Sequence, residues 1–247
     1  MKIHGSVKKD LVNRYVNHLT IGSWRFIETF SITHAVGQFR PTTHLYKLNF
    51  VNGTYVAVSD PKSDSNFLSL TKFTRVEDPD LNTNMLIDVI GQVVNIGDME
   101  TVEVNNKPTH KLVFEMQDER DERLSCTLRG SFADKVFGGC HASNGVIVVC
   151  ILRFVKVKTY KGSRYLSNSY DASQVHINPA WIEVDNFIKS LPNDGLSLAF
   201  RESVPKLEIV VVTSEDTSQY SRKTIAELID SVEVDRESKS NEHHLRN

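Results

Sequence analysis

The last hairpin of the predicted barrel decides the fold: GVIVVCILRFVKVKTY (residues 145–160) is followed by KGSRYLSNSY (residues 161–170). Apolar and polar residues alternate on both sides of a Lys-Gly turn, which is typical of a β-hairpin. The hairpin has no acidic residue and five basic ones: Arg153, Lys156, Lys158, Lys161 and Arg164. Cations beside aromatic rings suit a polyanion that carries bases. A strand edge kept soluble by lysines would explain the same pattern.

The residues before and after this hairpin predict a complete small barrel. Periodicity indicates strands over 85–95, 109–117, 124–128, 146–160 and 165–168. A short helix over 131–137 precedes the hairpin, and Ser131 with Asp134 three residues later resembles a capping box. Strand, strand, strand, helix, strand, strand is the order of the OB fold, whose face and loops bind oligonucleotides or oligosaccharides. We expect a trailing amphipathic helix after Pro179, with Trp181 packed against the barrel.

The rest of the chain divides into a second, shorter β region and a polar tail. Residues 1–76 predict a strand, a helix over 9–19 and three further strands, two of them at 24–33 and 44–50, as a partial OB-fold domain. Residues 77–84 read as a linker, 85–192 as the complete OB-fold domain and 193–247 as an acidic linker or tail. Within the tail we expect a strand at 205–213, a helix at 221–230 and disorder from 235 onward. The overall expectation is an all-β protein with short helices and tandem OB-fold barrels, the first incomplete at its N-terminus. Alternation also predicts five aromatic core residues: Trp24, Phe30, Phe50, Phe114 and Phe154.

Composition excludes several classes of protein. The 247 residues have a net charge of −2, which hides a gradient from +4 over residues 1–60 to −4 over residues 193–247. We expect no membrane association and no secretory signal, because no apolar run approaches the roughly 20 residues that span a bilayer. Three cysteines without Cys-x-x-Cys spacing, and nine scattered histidines, predict reduced thiols and neither a metal site nor a cofactor. Since no catalytic motif is present, we expect no enzyme.

Several ordered motifs in this pattern carry a family resemblance. LIDVIGQVV (86–94), CTLRG (126–130), YKG (160–162), LSN (166–168) and INP (177–179) resemble the second DNA-binding OB domain of the replication protein A large subunit, most closely its plant members. KIHGSV (2–7) and GQFRPT (37–42) resemble the preceding OB domain. Compared with that family, we expect a chain shortened at both ends, without the opening hairpin of the first domain and without the zinc-bearing C-terminal domain. The resemblance implies single-stranded DNA binding in replication, repair and recombination, in the nucleus, with other replication protein A subunits or repair proteins as possible partners.

The same resemblance implies which residues bind. It places stacking rings at Tyr160 and Phe39, and at Arg129 it finds an arginine where the family has a tryptophan. A guanidinium can still stack on a base and contact phosphate. With the basic residues of the presumed binding strands, the candidate nucleic-acid site is Phe39, Arg40, Lys47, Arg129, Lys156, Lys158, Tyr160, Lys161 and Arg164. Two alternatives remain: a degenerate OB-fold module that binds protein and not DNA, and an OB protein that binds RNA.

Overall fold

The computed structural model describes residues 2–143, 147–170, 172–192 and 198–200. The N-terminal part contains strand β1, a 3-10 turn that continues into helix α1, two long strands and a short helix: β1 His4–Ser6, 3-10 Lys9–Leu11, α1 Val12–Tyr15, β2 Arg25–His34, β3 Tyr46–Val58 and α2 Phe73–Glu77. The remaining elements follow in chain order: β4 Ile87–Ile96, β5 Glu100–Val104, β6 Lys107–Gln117, β7 Arg123–Arg129, α3 Ser131–Ala142, β8 Val149–Tyr160, β9 Ser163–Asn168, β10 Gln174–Ile177, α4 Ile182–Ser190 and β11 Ala199–Phe200. The predicted elements at 205–213 and 221–230 and the predicted disorder lie outside the described residues.

The second β region closes into a barrel, which confirms the predicted fold class. Strand β6 pairs antiparallel with β4 and β7, β7 pairs parallel with β9, and β9 pairs antiparallel with β8. Pairing of β8 with β4 closes the ring. We call β4, β6, β7, β8 and β9 the complete barrel. Its interior is filled by apolar side chains, among them Phe114, Leu112, Met116, Leu128 and Leu152.

The three cysteines are buried, free thiols. Burial raises the pKa of Cys140 to about 12 and also raises the pKa values of Cys126 and Cys150. These thiols are therefore unreactive, small core residues.

The N-terminal strands form a sheet of their own. Strand β3 lies in the middle, with β1 parallel on one side and β2 antiparallel on the other. Tyr15 of α1 packs edge-on against Phe50, with ring centroids 5.1 Å apart, and its hydroxyl donates to the carbonyl oxygens of Val51 and Thr54. We call β1, α1, β2 and β3 the half-barrel, because they repeat the connectivity and pairing of β7, α3, β8 and β9.

Two details of the half-barrel differ from the sequence prediction. The helix ends at Tyr15, not at residue 19, and two strands follow it, not three. Strand β3 stays continuous through an irregularity at residues 51–54 because the Thr54 hydroxyl accepts from the Val51 amide and donates to the Thr29 carbonyl. A local hydrogen-bond pair of this kind leaves no trace in hydrophobic periodicity.

Other corrections concern individual side chains. The predicted core residue Phe30 is 38% exposed, because no strand among the described residues covers its face of the half-barrel. Helix α3 runs to Ala142, well beyond residue 137, and its N-cap is Gly130 with φ +63° and not Ser131. Phe50 and Phe114 are buried as predicted, and Trp181 packs beside Val149, Ile151 and the residues of α4.

A buried carboxylate ties the segments on either side of the half-barrel to the complete barrel. Asp88 on β4 is 2% exposed and receives hydrogen bonds from the Lys2 ammonium (3.0 Å), the Phe154 amide (3.0 Å) and the Ser69 amide (3.2 Å). The backbone of Arg40 forms an isolated bridge with Met85. Phe73 and Val76 of α2, which precede the expected linker at 77–84, are part of the core of the complete barrel. The two regions are thus joined by buried contacts as well as by the chain.

No helix within the described ranges is long and apolar enough to cross a membrane.

Candidate nucleic-acid interface

Strand β8 presents a row of two lysines and a tyrosine on the outside of the complete barrel. Lys156, Lys158 and Tyr160 alternate with the buried Val155 and Val157. Because successive side chains of a strand point to opposite faces, the three polar residues share the outer face. Their partners on β9 are Ser167, Tyr165 and Ser163 respectively. The basic and aromatic surface predicted from the sequence is therefore a row of these three side chains on the outer face of β8.

A tight turn leaves the Tyr160 ring open to solvent. Lys161 and Gly162 follow it with φ of +49° and +86°, as in the type I′ turn that suits a two-residue hairpin. The Tyr160 side chain is 67% exposed, and the Lys161 ammonium lies 5.5 Å from its ring centroid. The ring is available for stacking, since two thirds of the residue is open to solvent.

The positive charges of this row act on one another. The pKa of Lys158 is lowered below 10.5, first by partial burial and then by the charges of Lys156 and Arg129. Arg129 ends β7, where its amide donates to the Asn168 side-chain oxygen at 2.8 Å. We call Arg129, Lys156, Lys158, Tyr160 and Lys161 the basic strip. An anion bound beside these cations would offset their mutual repulsion and stabilise their charged forms.

The half-barrel adds an aromatic ring to the strip. Phe39 sits in the loop between β2 and β3 with φ +59°, and the Lys156 ammonium lies 4.4 Å from its ring centroid. The loop is fixed by Arg40, whose amide donates to the Asn84 carbonyl and whose carbonyl accepts from the Leu86 amide. The structure thus brings Phe39 and Lys156, predicted separately in two regions, into direct contact.

Arg40 and Lys47 lie beside this contact, at a small cavity that sequence reasoning missed. The Arg40 guanidinium donates to the His44 carbonyl at 2.7 Å, so it is partly committed to the loop. Lys47 on β3 lies opposite His4 on β1, and both line a cavity of about 60 Å³ together with Phe39 and Arg40. Burial, and then Lys47, lowers the pKa of His4 below 6.5, which keeps the imidazole neutral near pH 7. Parallel pairing of β1 with β3 places His4 here, and that register could not be deduced from sequence spacing.

Arg164 does not join the strip. It faces the other side of β9, opposite Thr159, and its guanidinium donates to the carbonyl oxygens of Val76, Asp78 and Pro79. These contacts anchor the C-terminal end of α2 to the barrel. Alternation along β9 separates Arg164 from Lys158 and Tyr160, so we leave it out of the proposed interface.

A wider groove lies at the junction of the two regions. It has a volume of about 630 Å³ and is lined by Lys2, Phe67, Met85, Asp88 and Phe154, among others. Phe154, predicted to be a core residue, is only half-buried and has φ +51°, at the point where the register of β8 with β4 shifts. The Asp88 carboxylate, which lines this groove, already accepts hydrogen bonds from Lys2, Ser69 and Phe154. No cluster of three or more His, Cys, Asp or Glu side chains suited to a metal ion occurs in the described part of the chain.

Comparison with solved structures places this geometry in a known fold. A replication protein A heterotrimer bound to single-stranded DNA aligns with 78% of this chain and 44% of that chain, at 22% identity and a TM-score of 0.57. This chain has the OB fold. It spans less than half the length of the replication protein A chain that it matches. At 22% identity, the similarity between the two chains shows a shared fold and no more.

Other comparisons are partial. Residues 1–78 match the family described as Domain of unknown function DUF223, which covers the half-barrel and α2. The OB domain of Ta0387 from Thermoplasma acidophilum aligns with 42% of this chain and 85% of that one, at 16% identity and a TM-score of 0.30. A murine DNA-binding protein bound to double-stranded DNA aligns with 72% of this chain and 78% of that one, at 10% identity and a TM-score of 0.37. No curated protein matches the chain.

Proposed function

We propose that this protein binds single-stranded DNA with little sequence preference, along the basic strip and the Phe39 loop. The observation that carries the proposal is the contact of Phe39 with Lys156, 4.4 Å from ring centroid to ammonium, which joins the half-barrel to the strip on β8. Lysines that follow the phosphates and rings on which bases stack are the two parts of a general single-strand binding surface. The replication protein A heterotrimer of the same fold is itself bound to single-stranded DNA.

The residues of the surface have different tasks in this proposal. Lys156, Lys158 and Lys161 neutralise phosphates, and Arg129 contacts a phosphate or stacks on a base. Tyr160 and Phe39 offer π-faces, which every base can use regardless of sequence. No step of this binding needs a metal, a cofactor or a chemical reaction, so we propose a binding protein and not an enzyme.

The wider biological setting is also a proposal. Binding to single strands without sequence preference suits DNA replication, repair and recombination, which take place in the nucleus. Other replication protein A subunits or repair proteins are the partners that this role would require. Reduced, buried cysteines agree with an intracellular compartment.

A titration with labelled oligonucleotides tests the proposal. Single-stranded DNA, double-stranded DNA and single-stranded RNA of equal length are added to the full-length chain at two salt concentrations, and fluorescence anisotropy is measured. We expect the tightest binding for single-stranded DNA, weaker binding at the higher salt concentration and no change with a chelator.

Two other results would assign the alternatives. Tighter binding of RNA would make the chain an RNA-binding OB protein. No binding of any nucleic acid at low salt would contradict the proposal and leave the protein-interaction module.

A further inference from the structure

We infer that the small cavity beside Phe39 binds a phosphate group, which is held by Arg40, Lys47, His4 and the Thr42 hydroxyl. A nucleic-acid strand supplies such groups, and this part of the inference rests on the proposed function, whereas the cavity itself is testable with inorganic phosphate alone. A backbone phosphate and a terminal phosphate have this chemistry in common, and oligonucleotides with and without a terminal phosphate separate the two sources.

The size and charge of the cavity suit a phosphate group. Its volume is about 60 Å³, and one water molecule needs roughly 10–15 Å³, so the cavity has room for a phosphorus atom with its oxygens. The basic residues that line it are Arg40, Lys47 and His4, and no acidic residue of the described chain lines it. Two positive side chains in a wall without a carboxylate favour an anionic ligand.

Two buried donors in the wall of the cavity lack a hydrogen-bond acceptor. The Arg40 guanidinium is held in place by its bond to the His44 carbonyl, yet its Nε is buried and has no partner among the described residues. The same holds for the buried hydroxyl of Thr42, which lines the cavity as well. Buried polar groups are rarely left unpaired in folded proteins. A water molecule would accept from these donors but leave the charges of Arg40 and Lys47 unbalanced, whereas a phosphate group does both.

Phe39 places the cavity next to the basic strip. The residue lines the cavity, and its ring centroid lies 4.4 Å from the Lys156 ammonium. A strand that lies along the strip with a base on Phe39 therefore brings a phosphate to the cavity.

The imidazole of His4 reports whether the cavity is occupied. In the free protein, burial and then Lys47 lower the pKa of His4 below 6.5. The charged groups that line the cavity with it are Lys47 on β3 and Arg40 in the loop before β3. A phosphate bound in the cavity would raise the pKa of His4 again, because an anion favours the charged imidazolium.

The first experiment follows the His4 imidazole signals of the full-length chain by NMR as the pH is changed, with His4→Gln to assign them. Inorganic phosphate is compared with chloride at equal ionic strength. We expect phosphate to move the titration midpoint of His4 upward by about one pH unit, and chloride to leave it unchanged. His110 on the complete barrel is the internal control, and its midpoint should be the same in both salts.

A charge-removing variant shows whether the cavity holds the phosphate. Lys47→Gln should weaken phosphate binding by at least about tenfold, measured from the concentration dependence of the His4 signal, because a hydrogen bond to a charged group is lost. The matched control is Lys189→Gln on α4, which removes a positive charge outside the cavity and should leave phosphate binding unchanged.

The second experiment compares internally labelled single-stranded DNA with a 5′-phosphate, with a 3′-phosphate and with two hydroxyl ends, by fluorescence anisotropy. A preference for one phosphorylated end that Lys47→Gln abolishes assigns the cavity to a terminal phosphate. Equal affinities for the three oligonucleotides, all weakened by Lys47→Gln and not by Lys189→Gln, assign it to a backbone phosphate. Oligonucleotide binding that Lys47→Gln leaves unchanged restricts the cavity to free phosphate.

Two results would overturn the inference: phosphate and chloride that act alike on His4, or Lys47→Gln that binds phosphate as tightly as the wild type. The proposed function stands in either case if the wild type still binds single-stranded DNA. A chain that binds phosphate but no oligonucleotide contradicts the proposed function and leaves the phosphate site in place. Should Lys47→Gln fail to fold, as judged by circular dichroism, the wild-type titration of His4 decides alone.

Discussion

Tyr160 is the residue whose surroundings bear most directly on binding. Its ring projects from the end of β8 beyond the last buried position of the strand, Val157. A core tyrosine would be covered and would leave a cavity when truncated. An exposed ring beside a lysine has no such structural role, so its contribution can be measured with little effect on folding.

Truncating this ring should weaken binding and spare stability. We expect Tyr160→Ala to reduce the free energy of single-stranded DNA binding by about 1–3 kcal/mol, the usual value of one base–aromatic stack. Tyr160→Phe keeps the ring and should bind nearly as the wild type does. Anisotropy titrations and thermal melts of both variants are the measurements. An early melt for Tyr160→Ala, or wild-type affinity, would remove Tyr160 from the interface.

The lowered pKa of Lys158 leads us to expect that the affinity for single-stranded DNA depends on pH. Its pKa is lowered in the free protein, and a phosphate bound beside it would raise that pKa again. Binding is therefore strongest when Lys158 is protonated, and the affinity should fall as the pH rises through its lowered pKa, below 10.5. Lys158→Arg keeps its charge over this range, so its affinity should change less with pH. Equal pH profiles for the two proteins would show that Lys158 does not contact the nucleic acid.

At the scale of the elements, Asp88 connects the complete barrel to the segments before and after the half-barrel, at Lys2 and Ser69. Replacing it by alanine leaves the Phe154 and Ser69 amides without their acceptor and Lys2 without its counter-charge. We expect Asp88→Ala to lower the free energy of unfolding by about 3 kcal/mol, as for a buried charge pair broken on one side. Denaturant titration measures this change.

An exposed acid provides the control for Asp88. Asp134 on α3 accepts from His110 at 2.6 Å, and its side chain is 52% exposed. Asp134→Ala should cost less than about 1 kcal/mol, because exposed ion pairs contribute little. If the two variants unfold at the same denaturant concentration, Asp88 does not join the two regions.

Sequence periodicity predicted most strands of the complete barrel, because one face of each is buried and the alternation is regular. The sequence also predicted a basic and aromatic surface on the last hairpin, and the structure places Lys156, Lys158 and Tyr160 together on the outer face of β8. Periodicity failed for Phe30, since alternation shows which residues share a face and not whether anything covers that face. It also could not show that Arg164 caps α2 or that Phe39 reaches Lys156, because both depend on contacts between elements far apart in sequence.

For the whole molecule, the central claim is that single-stranded DNA lies along the basic strip. The net charge of −2 gives no general attraction for a polyanion, so attraction must come from local clusters. Each phosphate neutralised on a single strand contributes about −0.7 to the slope of log K against log salt concentration. The slope is therefore a measure of how many phosphates the basic strip neutralises.

The most direct test compares this slope in three proteins: the wild type, a Lys156→Ala and Lys158→Ala double variant, and Lys189→Ala on α4 as the control. The account predicts a negative slope for the wild type, a slope shallower by about 1.4 for the double variant, and no change for the control. A wild-type slope near zero, or the same slope in the double variant as in the wild type, would contradict it.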